Sequence, residues 1–274
     1  MSVYPNGIWV SEQGMNQVRS VLRAIRILEA FRDRSSLTVT ELARALKLPK
    51  SSVYELVSTL AAEGLLTKEE ATSRYRLGLR LAELARTADR DLEVRQVGHP
   101  LVERLRDELN ETVQLTILDG EEILYVDGCE SKRQLRTFFQ FGDRAPLHCT
   151  ALGKAILANL PADEIDHRLR RRTLKAYTSE TLTDPRELRR DLARTAARGY
   201  SVDDMEHEEG VRCVGAPIRD REGRTIASIS ASGPAQRLAP RRDREIARRV
   251  MAAAEEISRR LGYRPGKGGA RKGS

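Results

Sequence analysis

Residues 37–64 run Leu37-Thr38-Val39-Thr40-Glu41-Leu42-Ala43-Arg44-Ala45-Leu46-Lys47-Leu48-Pro49-Lys50-Ser51-Ser52-Val53-Tyr54-Glu55-Leu56-Val57-Ser58-Thr59-Leu60-Ala61-Ala62-Glu63-Gly64. Thr38 or Thr40 is suited to cap a helix whose Leu42 and Leu46 face inward at i, i+4. That helix must stop at Lys47-Leu48-Pro49, because the residue before a proline is pushed out of the α region. Pro49 is then expected as the first residue of a second helix. In it Val53, Leu56, Val57 and Leu60 form one apolar stripe, and Gly64 ends it as a left-handed cap. Lys50, Ser51, Ser52, Tyr54 and Glu55 fall outside the stripe. Two helices joined by a tight turn, the second with a polar outer face, suit entry into a major groove of ~12 Å.

The flanks extend the pattern. Upstream, Val21, Ile25, Leu28 and Phe31 step by helical intervals, predicting an amphipathic helix from Val18 with Arg19, Arg23 and Arg26 on its other sides. Downstream, short strands are expected over 65–67 and 74–77, with Arg74 and Arg76 both toward solvent. The layout is a winged helix-turn-helix over residues 17–78, preceded by a flexible leader over 1–16. Lys50 is a phosphate contact candidate, Ser51, Ser52, Tyr54 and Glu55 are groove-reading candidates, and Arg74 and Arg76 belong to the wing. Arg19 and Arg23 are further phosphate candidates. Taken alone, two alternating arginines describe a solvated face, and such a module also serves as a protein-packing unit.

Charge supports the nucleic-acid reading for this segment only. The chain of 274 residues has 48 Lys+Arg against 40 Asp+Glu, net +8, with 40 Arg and 8 Lys. Residues 1–90 hold 14 basic and 10 acidic side chains, residues 91–260 hold 30 of each, and the last fourteen hold 4 and none. The excess sits at the ends, so a polyanion partner is expected for the first domain and something small for the neutral middle. No stretch reaches the roughly 18 consecutive apolar residues of a membrane span. The start lacks a basic stretch followed by an apolar core, so no signal peptide is expected. Cys129, Cys149 and Cys213 are odd in number and form no CxxC pair, which favours a reducing cytoplasm over a disulfide framework. GxxxxGK[ST], GxGxxG, HExxH and GxSxG are all missing, which removes the common routes to a nucleotide-dependent or hydrolytic enzyme.

Beyond the wing, apolar spacing predicts a linker helix over 79–98, broken at Gly98-His99-Pro100, and a second helix over 101–109. A hairpin around Asp119-Gly120 joins strands over 113–118 and 123–126, and another strand is expected over 134–139. Helices follow over 151–160, 162–172 and 185–198, the last capped by Asp184 with Pro185 at its first position. Strands over 211–218 and 225–231 precede a long helix over 240–261, and the Gly- and Lys-rich tail over 264–274 is expected to be disordered. The fold class is α+β.

Together with the winged helix-turn-helix, three segments resemble the IclR family of bacterial transcriptional regulators. They are Pro146-Leu147-His148-Cys149-Thr150-Ala151-Leu152-Gly153-Lys154-Ala155, Arg198-Gly199-Tyr200-Ser201-Val202-Asp203-Asp204 and Cys213-Val214-Gly215-Ala216-Pro217. The resemblance spans roughly residues 18–263. It implies a dimer-forming linker and a GAF-like effector domain over 99–263 with a six-stranded antiparallel sheet. It also implies homodimers or homotetramers on a double-stranded DNA operator, controlled by a small metabolite such as a carboxylate or aromatic acid. Thr150, Ala151, Leu152, Asp203, Cys213, Ser230 and Ser232 resemble the positions that line the family's effector site. Thr150, Ala151 and Leu152 open a helix, where backbone N–H groups favour an anion. Ser230 and Ser232 are two apart on a strand and share one face. Leu152 is bulky where a small residue would leave more room, which narrows the expected pocket or shifts it toward a different ligand. No cofactor and no catalytic or metal site is expected. His148 and Cys149 are adjacent and poorly placed for a nucleophile–base pair, and His148, Cys149, Asp203, Glu206, His207 and Cys213 follow no zinc spacing. The alternative is a metal- or thiol-responsive DNA-binding sensor using Cys149 and Cys213.

Overall fold

In the computed structural model, which describes residues 2–3, 9–10, 18–32, 34–85, 89–171 and 174–264, Thr38 rather than Thr40 starts the first helix of the turn. The chain divides into two units, Met1–Ala88 and Asp89–Ser274. The first contains β1 (Ser2–Val3), β2 (Trp9–Val10), α1 (Arg19–Glu29), α2 (Val39–Leu46), α3 (Lys50–Ala62), β3 (Leu66–Glu69), β4 (Arg74–Leu77) and α4 (Arg80–Ala85). β1 and β2 pair antiparallel inside the expected leader. The rest of that leader, and the tail beyond residue 264, lie outside the described residues.

Thr38 Oγ1 accepts the Glu41 N–H at 3.2 Å, and Glu41 Oε2 accepts the Thr38 N–H at 2.7 Å. This reciprocal box satisfies two donors that the helix start leaves open. Thr38→Ala is expected to cost about 1 kcal/mol, read as a lower urea midpoint at unchanged slope. Lys47 closes α2 in the left-handed region at φ 54°. Pro49 is the N-cap of α3, with ψ 139°, and Lys50 is its first helical residue, one position later than expected. An extended ψ at Pro49 is what turns the chain between the helices. Gly64 has φ +72°, and a Cβ on Gly78 would stand 2.0 Å from the Gly64 carbonyl oxygen. The wing closes backbone against backbone at that point, so only glycine fits.

The inward face of α1 differs from the expected row. Ile27 and Phe31 are buried in the core with Leu37, Leu42, Val53, Val57, Leu60, Leu66 and Tyr75, whereas Val21 and Ile25 are exposed. Of the expected row, Phe31 just past the end of α1 is buried and Leu28 packs against the same core, while Ile27 takes the place of Val21 and Ile25.

The second unit holds α5 (Asp89–Leu109), β5 (Thr112–Asp119), β6 (Glu122–Cys129), β7 (Arg144–Pro146), α6 (Ala151–Leu157), α7 (Ala162–Arg171), α8 (Pro185–Arg198), β8 (Ser201–Asp204), β9 (Val211–Arg219), β10 (Thr225–Pro234) and α9 (Asp243–Arg260), the last after a 3-10 turn at Pro240–Arg242. Gly98-His99-Pro100 does not break α5, which runs on as one helix. A Cβ at Gly98 would come within 2.6 Å of Leu115 Cδ2, so the glycine is where the helix lies closest to the sheet. The two units divide at Ala88, inside the linker helix expected over 79–98, of which residues 86–88 are not described.

Six strands form one antiparallel sheet in the order β7-β6-β5-β10-β9-β8. α5 and α9 cover one face through Leu101, Val102, Leu105, Val250, Ala254 and Ile257. α6, α7 and α8 form a second core with Ile123, Ala145 and Leu147. The strand expected over 134–139 is absent. The carbonyls of Thr137 and Phe138 accept from the side chains of Thr112, at 2.8 Å, and Gln114, at 3.5 Å, in place of a ladder. The edge strand is β7 instead, and β8 is an edge that the apolar pattern did not announce.

Candidate functional site

The outward face of α3 is set by its packing. With Val53, Val57 and Leu60 buried, Lys50, Ser51, Tyr54 and Glu55 are exposed, Tyr54 to 58 %, and Ser52 is half-buried. Arg19 is exposed and borders a groove with Leu22, Arg23, Arg26 and Leu48. Arg76 is exposed on β4, but Arg74 is not the solvent-facing arginine expected there. Its Nε donates to Ser36 Oγ at 2.9 Å, and its Nη2 donates to the Ser36 carbonyl at 2.9 Å and lies 3.1 Å from Glu41 Oε2. Glu41 is already fixed by the Thr38 box, so it offers a preformed acceptor that draws Arg74 back onto α2.

In the second unit the seven expected effector residues, Thr150, Ala151, Leu152, Asp203, Cys213, Ser230 and Ser232, all line one cavity of about 200 Å³. Sheet register brings four of them together. Asp203 on β8 stands opposite Cys213 on β9, which stands opposite Ser232 on β10. Ser230 lies two residues along on the same face, opposite Gly215 and Gln114. A Cβ at Gly215 would approach the Ala151 carbonyl oxygen to 2.9 Å, so the missing side chain lets α6 settle close to the sheet.

Polar groups in the cavity are unevenly satisfied. Ser232 Oγ donates to Gln114 Oε1 at 3.1 Å and meets Cys213 Sγ at 2.9 Å. Ser230 Oγ is buried and has no hydrogen-bond partner. A buried hydroxyl without a partner costs about 1–3 kcal/mol, which a ligand would return. Thr150 caps α6, accepting the Gly153 N–H at 3.0 Å. Leu152 is buried in the α6–α8 core and also borders the cavity.

Several lining residues were not among those expected. Gln114, Tyr125, Phe138, Phe139, Asp143, Arg144 and His207 are among them. Gln114 had a signal, since a polar amide interrupts the apolar run Val113-Gln114-Leu115. Tyr125 reaches the wall from β6, whereas Phe138 and Phe139 reach it because the segment over 134–140 runs as a loop, and Phe138 is 73 % exposed at the rim. Burial and the Asp203 charge push the Cys149 thiol well up, and Cys213 likewise, which disfavours thiolate at both. Among the described residues no group of three or more His, Cys, Asp or Glu is placed to hold a metal ion.

Residues 20–70 match the family model described as the IclR helix-turn-helix domain, and residues 87–259 match that of the bacterial transcriptional regulator IclR C-terminal domain. The chain belongs to the IclR family. Similar curated proteins include the HTH-type transcriptional regulator BhcR of Paracoccus denitrificans, 35 % identical over 88 % of this chain and 86 % of that protein. The transcriptional repressor IclR of Escherichia coli is 33 % identical over 88 % of this chain and 89 % of its own. Among solved structures, an IclR homolog from Microbacterium hydrocarbonoxydans complexed with 4-hydroxybenzoate superposes with a TM-score of 0.79 at 29 % identity, covering 88 % of this chain and 98 % of that one. This IclR-family protein is thus a DNA-binding transcriptional regulator of α+β fold, with a helix-turn-helix domain followed by a domain built on an antiparallel sheet. Among the described residues no helix is long and apolar enough to cross a membrane.

Proposed function

We propose that this regulator controls a metabolic or catabolic operon, as repressor or activator, in response to a small organic acid bound in the 200 Å³ cavity. The observation that carries the reading is the convergence of all seven expected residues on one cavity holding an unpartnered serine hydroxyl. Its volume is below the roughly 300–1,000 Å³ of drug-sized sites, which suits a compact metabolite. Tyr125, Phe138 and Phe139 supply an apolar wall for an aromatic acid. The 4-hydroxybenzoate bound to the Microbacterium homolog makes that compound the first to test. The protein acts in the cytoplasm, as a homodimer or a homotetramer of paired dimers. The first domain, over 17–78, holds the operator, the segment over 79–98 links, and the remainder to residue 263 senses.

On DNA, α3 enters the major groove with Ser51, Ser52, Tyr54 and Glu55 toward the bases, while Lys50, Arg19 and Arg76 meet phosphates. The release of Arg74 to Glu41 divides the wing into two roles. Arg76→Ala is expected to weaken binding uniformly across sequences and to reduce the log-log salt slope by about 1. Arg74→Ala is expected to leave that slope unchanged and to act on the stability of the first domain. Salt titrations of the two variants, followed by fluorescence anisotropy, separate them.

The effector reading is tested by thermal shift of the full chain against small aliphatic and aromatic acids, including 4-hydroxybenzoate. At least one acid is expected to raise the melting temperature of the wild type and to leave Ser230→Leu unmoved, since the leucine fills the cavity. Equal shifts in both proteins would place the ligand elsewhere.

A further inference from the structure

The cavity wall is richer in negative than in positive charge. Its described lining contains Asp143, Asp203 and Glu208 against one cation, Arg144, whose Nη2 is held by Asp119 Oδ2. Asp203 is 3 % exposed, and its Oδ1 accepts the Glu206 N–H at 2.8 Å and the His207 N–H at 3.4 Å. The nearest ammonium, Lys154 on α6, is already taken by Asp191 Oδ2 at 2.9 Å and by Glu206 Oε1. Glu206 adds a further charge close by, and its Oε2 has no hydrogen-bond partner.

The other titratable groups facing Asp203 supply no positive charge. Burial lowers the His207 pKa, against the pull of the Glu208 charge, and so disfavours its cationic form. Cys213 on β9, Cys149 before α6 and the Tyr125 phenol on β6 are each pushed up by burial and by the Asp203 charge. Hence an anion entering the cavity meets a buried carboxylate with no uncommitted cation beside it among the described residues. Two such charges at close quarters disfavour each other, and a proton on one of them relieves the repulsion.

We propose that the cavity takes up its organic anion together with one proton, which resides on Asp203 and makes that carboxyl a hydrogen-bond donor to the bound ligand. The proposal rests on the effector reading of the cavity and specifies its charge form. The balance is simple: one proton leaves solvent, an O–H bond forms on Asp203, and the carboxyl then donates to a ligand oxygen. Burial first, and the Glu206 charge second, push Asp203 up to about 7 even without ligand, against the pull of its two backbone N–H donors and of Lys154. The site therefore titrates where cellular pH is held, and affinity for an anion falls as pH rises.

The sign for stability runs the same way. The unfolded chain binds this proton only below about 4 and the folded chain below about 7, so folding takes up a proton between them. Stability contributed by this group is lost as pH rises through that window. Asp203→Asn, a neutral isostere that keeps a donor, removes the loss.

Two measurements on the full chain test the proposal. The first is a ¹³C carboxyl titration by NMR, with the Asp203 signal assigned by its loss in Asp203→Asn. The second is calorimetric titration of 4-hydroxybenzoate and its uncharged amide from pH 6 to 8.5 in two buffers of different ionisation heat. Asp203 is expected to titrate near 7. 4-Hydroxybenzoate is expected to bind with net proton uptake and to lose up to tenfold in affinity per pH unit above 7, with the amide nearly flat and Asp203→Asn flat for both. Titration of Asp203 below pH 5 would overturn the proposal, as would pH-independent binding of the acid by the wild type. If neither compound binds, the choice of ligand in the effector reading is wrong, and the carboxyl titration alone still decides the charge form.

Discussion

Lys154→Met is expected to cost about 3–5 kcal/mol of stability, the range seen when one partner of a buried ion pair is removed. Lys154 is 1 % exposed, with its ammonium between Asp191 and Glu206. Asp191 has a second partner in Arg194 at 3.0 Å, but among the described residues Glu206 has no other cation, and its Oε2 is already without a partner. Methionine fills the same volume, so packing is nearly preserved and the loss is electrostatic. Burial holds Glu206 above its ordinary value and the lysine counters it, so removing the lysine pushes Glu206 further up. The deficit should therefore shrink on acidification, as the two carboxylates accept protons. Adding Glu206→Gln to Lys154→Met should recover part of the loss at neutral pH. For a domain of this size the shift is on the order of 10 °C in melting temperature. A loss below about 1 kcal/mol, or one that grows on acidification, would show that the triad does not hold α6 against α8 and the β8–β9 loop.

The second large effect is expected on DNA. Ser51 is exposed in the first turn of α3, and Tyr54 is exposed one turn along. Ser51→Glu places a negative charge at the positive end of the helix, which favours the fold by a few tenths of a kcal/mol. On the proposed operator complex the same charge would enter the negative potential of the groove, and its bulk would hold the helix off the base edges. Losing a base contact at about 1–3 kcal/mol and gaining repulsion together predict a loss on the order of 100-fold or more in operator affinity. Unchanged or raised thermal stability with lost binding is the signature, because a misfolded domain would lose both. Tyr54→Ala should act in the same direction and relax selectivity at one base position.

Much of the first domain was readable because each boundary has a local cause. Pro49 and Gly64 are residues whose backbone limits or freedoms mark the turn, and the Val53, Val57, Leu60 spacing leaves one face for burial. What failed there depended on contacts across the domain. Phe31 of the expected row is buried and Leu28 packs against the same core, but the domain core takes Ile27 in place of Val21 and Ile25. Arg74 alternates with Tyr75 as a wing residue should, but Ser36 and Glu41, more than thirty positions away, decide where it points. In the second domain, Gly98-His99-Pro100 reads as a break until Leu115 is seen against Gly98. The alternation Leu135, Thr137, Phe139 reads as a strand, yet Thr112 and Gln114 take the carbonyls that a neighbour strand would need. The cavity residues were legible as a set through resemblance. Lys154 stood inside a quoted segment with nothing in its neighbours to announce a buried ammonium.

α3 is proposed as the element that reads DNA. Selection of duplexes from a random library by the full-length chain, repeated with Ser51→Glu, addresses it most directly. The wild type is expected to enrich an inverted repeat with half-sites about one helical turn apart and to bind it with a Kd on the order of 10⁻⁸ M or tighter at physiological salt, while the variant enriches nothing. Enrichment of the same repeat with the same affinity by the folded variant would contradict the assignment of α3 to the major groove.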